Sequence, residues 1–177
     1  SIDAFSGKNL DGLQGDFLSE KIKEGLNLFT EVLLEPAFDP AEIEKEKRML
    51  IEGIKRENDQ PAALAYKRFF QELYPTHPYG MPVHGTLASV PNLSRVQLLQ
   101  THKALLDPSQ MTIGVVGDFD PDWICDFFEN KLGKLKKVSR SLPKLPQPVK
   151  LKSPLTVKLP QTKMQTHIAL GFLGTTL

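Results

Sequence analysis

Four glutamates crowd one short stretch (Glu42, Glu44, Glu46 and Glu52), and four histidines follow at His77, His84, His102 and His167. Carboxylates and imidazoles are the ligands and bases of metal-assisted hydrolysis, which on a helix calls for two histidines four residues apart with a glutamate close by. No two of these histidines have that spacing, so neither HExxH nor HxxEH can be formed. His77 and His84 share a loop without nearby carboxylates and read as turn residues. His102 falls at a helical core position and reads as a hydrogen-bonded inner histidine, and His167 reads as a strand residue. The chain has no GxSxG elbow, no phosphate-binding glycine loop and no CxxC pair. Its one cysteine, Cys125, lies in the apolar run WICDFF and reads as a buried, inert thiol. The glutamates themselves read as the wet side of a helix.

That helix spans Phe38 to Pro61, with sequence FDPAEIEKEKRMLIEGIKRENDQP. Asp39 suits the N-cap, Pro40 the first helical position and Glu42 the return partner of a capping box. Ile43, Leu50, Ile51 and Ile54 fall at i, i+7, i+8 and i+11 and predict one buried stripe, with Lys, Arg and Glu on most other positions. Gly53 is the odd residue beside Glu52, since glycine in a helix interior costs roughly 1 kcal/mol relative to alanine.

Before this helix, Ile2 to Leu18 alternates around glycines and predicts two short strands with a turn near Lys8-Asn9 or Asp11-Gly12. Ser19 is expected to cap a helix running through Glu35, stopped by Pro36. After it, Asp59 and Pro61 kink or restart the helix, and Tyr66, Phe69, Phe70 and Leu73 continue an apolar face. Pro75 to Pro91 is a proline-rich irregular loop. Ser94 with Gln97 predicts a capping box opening a helix to Leu106, with Leu98, Leu99, His102, Leu105 and Leu106 inward. Met111 to Val116 predicts a strand, and Asp120-Pro121 starts a helix that buries Trp123, Ile124, Phe127 and Phe128 and ends near Gly133. Leu155–Leu159 and Gln165–Phe172 predict two further strands. The fold class expected is α+β, a layered antiparallel-type sheet with helices packed on one face.

With 177 residues, 40% hydrophobic and 24% charged, the chain can bury a real core. A soluble protein is expected, its compartment left open, because no stretch reaches the length of a membrane span and no signal-peptide pattern is present. The net charge of +1 hides an asymmetry: ten Lys and Arg and no acidic residue follow Glu129, leaving twelve basic against all 21 acidic residues up to that point. A nucleic-acid arm would want interleaved aromatics and a membrane arm a basic amphipathic helix; the tail has neither, so no nucleic acid and no membrane insertion are expected. The basic tail reads as a solvated linker attracted to an acidic body.

Four stretches in this order resemble the pitrilysin/insulinase family of zinc metallopeptidases, to which mitochondrial processing peptidase and the bc1 core proteins are related. They are LFTEVLLEPAFDPAEIEKEKRMLIEGIKRENDQP (Leu28 to Pro61), HPYG (His77 to Gly80) followed by Gly85-Thr86, MTIGVVGDFDP (Met111 to Pro121) and QTHIALGF (Gln165 to Phe172). The resemblance implies repeated α+β domains paired into halves that close around an unfolded peptide. In a catalytic domain of such a family an early helix supplies HxxEH and a later helix a third zinc ligand, near the end of a pattern like E-R-x-x-x-x-E-E. Laid on that pattern, Glu46 takes the upstream glutamate, Glu52 the first of the pair and Gly53 the ligand position. Glu52 is no simple replacement, because neighbouring helical residues point about 100° apart.

The resemblance therefore implies a noncatalytic, inactive peptidase-like chain with no catalytic residue and no metal ligand of its own, serving as the structural half of a peptide-enclosing chamber. Zinc would lie in the parent's catalytic half. The alternative is a fragment of the catalytic half, with Glu52 as ligand and Glu46 in support of an upstream HxxEH. The chain opens and closes in strand-like sequence and is expected to be part of something longer. Residues 1–135 would form the later part of a peptidase-like α+β domain, 136–154 a Pro/Lys-rich linker and 155–177 the first strands of a following related domain. Expected partners are the parent's other domains and a peptide or unfolded protein, with homodimer formation through open strand edges.

Overall fold

The computed structural model describes residues 1–137, 144–149, 151, 153–162 and 164–174. Among them are two strands, β1 (Ile2–Ser6) and β2 (Asp11–Gly15), and five α-helices: α1 (Ile22–Leu34), α2 (Pro40–Asn58), α3 (Pro61–Leu73), α4 (Arg95–Leu105) and α5 (Pro121–Leu132). Packing divides the chain into two units. The first holds the described residues of Ser1–Ile43 and Leu93–Ser141, the second those of Glu44–Asn92 and Leu142–Leu177. Of the expected linker, residues 138–143, 150 and 152 lie outside the described residues.

In the first unit β1 and β2 pair antiparallel, Ile2 opposite Gly15 and Ser6 opposite Asp11. The turn closes over Lys8-Asn9, where the Gly7 N–H donates to the Leu10 carbonyl at 3.0 Å. Phe5 faces Gly12, and a Cβ there would lie 2.6 Å from the Phe5 ring, so glycine is what lets the ring cross the strand. Ser19 does not cap α1, contrary to expectation: it lies within a 3₁₀ turn, Ser19–Lys21, and the α1 N-cap is Lys21 with no side-chain bond. The core of this unit is Leu26 of α1 with Ile124, Phe128 and Leu132 of α5. Thr30 is buried beside them because its hydroxyl donates back to the Leu26 carbonyl at 2.9 Å.

Asp120 starts α5 as expected, its carboxylate accepting from the Asp122 and Trp123 N–H groups at 3.0 and 3.4 Å. Positions 124, 128 and 132, four apart, take the core face. Trp123 and Phe127 are only half-buried, and Cys125, one position round from Ile124, is exposed rather than buried. The Ser94–Gln97 capping box opens α4. Its inner face is Leu98, His102 and Leu106; Leu99 and Leu105, expected inward, are exposed. Arg95 at the head of α4 donates through Nε to the Phe38 carbonyl at 2.8 Å and through its terminal nitrogen to the Ala37 carbonyl at 3.3 Å. Phe38 has a left-handed φ of +45°.

In the second unit Ile54 of α2 and Val90 are the buried apolar residues, 3% and 2% exposed. Ile51 is half-buried, as is Ile43 of the first unit, while Leu50 is exposed at the rim of its stripe. The α2 chain ends at Asn58 and restarts as α3 with Pro61 in its first turn, where a missing N–H costs nothing. Tyr66 is exposed, against expectation, while Phe69 packs inward near Gly171, where a Cβ would come 2.6 Å from its ring.

The fold class is α+β, with the sheet smaller than expected. Among the described residues only β1 and β2 are strands; Met111–Val116, Leu155–Leu159 and Gln165–Phe172 are not, and His167 is an exposed residue outside any strand. A strand exists through its neighbour's hydrogen bonds, and these segments have no neighbouring strand beside them among the described residues. Met111 and Val115 instead turn onto the α5 core, leaving Val116 fully exposed. No helix among the described residues is long and apolar enough to cross a membrane.

Candidate functional site

The helix carrying the glutamates begins where the sequence expects. The Asp39 carboxylate accepts from the N–H groups of Ala41 and Glu42 at 2.8 and 3.2 Å, capping α2 and fixing its phase. Along one side of it in the second unit runs an open cleft of about 480 Å³, lined by Glu46, Met49, Leu50, Gly53, Ile54 and Glu57 of α2 and by His84 of the following loop. Glu46, Leu50, Gly53 and Glu57 are spaced four, three and four apart, which keeps them on one face.

Gly53 is the notch in this face. A Cβ built on it would meet nothing within 4 Å, so no close packing requires glycine there. Glu52 lies on another side: it does not line the cleft, and its carboxylate binds the Lys55 ammonium at 2.7 Å. That hydrogen bond, and then the charge of Lys55, hold the Glu52 carboxyl below the usual glutamate range. Among the described residues no ion pair or hydrogen bond engages the side-chain carboxylates of Glu46 or Glu57.

The family likeness implies a zinc ion, whose ligands on α2 would come from these donors. Zinc needs three or four ligands at about 2 Å. Gly53, which the likeness lays on the ligand position, has no side-chain donor, and its neighbour Glu52 binds Lys55. No group of three His, Cys, Asp or Glu among the described residues stands close enough to hold an ion. The residues of α2 do not fit a zinc ion.

The remaining histidines are structural where they are held. His77 caps the 3₁₀ turn Pro78–Gly80, its Nδ1 accepting from the Tyr79 N–H at 3.2 Å, and clusters with the rings of Tyr74 and Tyr79. His102 donates from Nε2 to the Leu33 carbonyl at 2.8 Å and packs edge-on against Phe38. Met49 and Glu57 were not singled out from the sequence, though Glu57 follows Gly53 by four and was findable from spacing, whereas His84, read there as a turn residue, reaches the cleft only through the fold. A second groove, of about 600 Å³, lies in the first unit by Phe17, Leu18, Leu28 and Val32 and is almost wholly apolar.

Comparison with known proteins bears on this arrangement. The family model described as the peptidase M16 inactive domain matches residues 92–177. An uncharacterized zinc protease of Mycobacterium leprae is 26% identical over 172 residues, covering 96% of this chain and 39% of that protein. The uncharacterized zinc protease YmxG of Bacillus subtilis is 25% identical over 178 residues, 98% of this chain and 41% of its own length. The chain thus spans about two fifths of the length of these curated relatives. Among solved structures, the peptidase M16 inactive domain from Pseudomonas fluorescens superposes with a TM-score of 0.72 at 24% identity, over 84% of this chain and 36% of that one. A chain of complex III2 from Candida albicans does so at 0.60 and 19% identity, over 82% and 35%. Residues 92–177 thus match the model of the peptidase M16 inactive domain, and over nearly its whole length the chain is similar to proteins called zinc proteases.

Proposed function

We propose that this chain is a noncatalytic module of a zinc endopeptidase, one wall of a chamber that encloses a peptide or an unfolded segment while hydrolysis proceeds elsewhere in the parent. The observation that supports the reading is Gly53: laid on the family's pattern it takes the ligand position on α2, and a Cβ there would meet nothing within 4 Å. Zinc then belongs to the parent's catalytic half, and the chain's partners are the parent's other domains and the enclosed peptide. In the same reading residues 155–177 open a following related domain and 136–154 connect to it.

The test is the zinc content and peptidase activity of the intact parent, with and without Glu52→Gln. Both are expected to survive, since Glu52 is paired with Lys55. Joint loss of zinc and activity would make Glu52 a ligand and assign the chain to the catalytic half.

A further inference from the structure

We draw no further inference here: the strongest candidate, the apolar groove of the first unit beside Phe17, Leu18, Leu28 and Val32, is an open face in a chain that spans about two fifths of its relatives' length, and nothing in the structure shows what covers it.

Discussion

Glu52 and Lys55 are joined by a 2.7 Å charged hydrogen bond on the side of α2 away from the cleft. Glu52 should therefore titrate below an ordinary glutamate. Because its folded pKa is depressed, the stabilising effect is present above the unfolded value and is lost as pH falls through the folded one. Carboxyl-carbon NMR titration should show Glu52 returning to the ordinary range in Lys55→Gln, and an unchanged Glu52 in that variant would show that Lys55 is not the cause.

Gly53 stands in a helix interior with open space around it. Gly53→Ala should raise stability by about 1 kcal/mol through helix propensity and the reduced freedom of the unfolded chain. Urea unfolding measures this directly. A loss of stability would mean that the position is packed.

Asp39 satisfies two backbone donors at the start of α2. Asp39→Ala should cost about 1 kcal/mol, and Asp39→Ser or Asp39→Asn should recover most of it. Equal losses in all three variants would point to the charge of Asp39 rather than to its capping geometry.

His102 joins α4 to the last turn of α1 through the Leu33 carbonyl, at 2.8 Å. In His102→Ala the carbonyl loses its donor and Phe38 an edge contact, and a loss of about 1 to 2 kcal/mol is expected from chemical denaturation. Amide exchange near Leu33 should quicken in the same variant, and unchanged exchange there would place the loss elsewhere.

The helices were legible because their signals are local. The caps at Asp39 and Asp120 and the Ser94–Gln97 box are each written within four residues, and each is present. What the sequence misplaced depends on partners distant in the chain. The apolar runs at Met111–Val116 and Gln165–Phe172 have strand-like alternation, but pairing requires a second strand that pattern alone does not supply. Cys125 and Leu99 went wrong in another way: an apolar cluster denser than one face can bury must expose some members, and only packing decides which. At the site, Glu46 and Gly53 were picked out by the resemblance, whereas the cleft became visible only when the loop set His84 beside them.

The Arg95 fork has a kinetic consequence. Phe38 keeps an unfavourable backbone angle only while Arg95 grips the carbonyls of residues 38 and 37, which lie 57 and 58 residues earlier in the chain. Helices can nucleate on either side of this bend on their own, but the grip must wait for the intervening loop to close. The contact therefore forms late, and removing it as Arg95→Met should accelerate unfolding while leaving the refolding rate nearly unchanged.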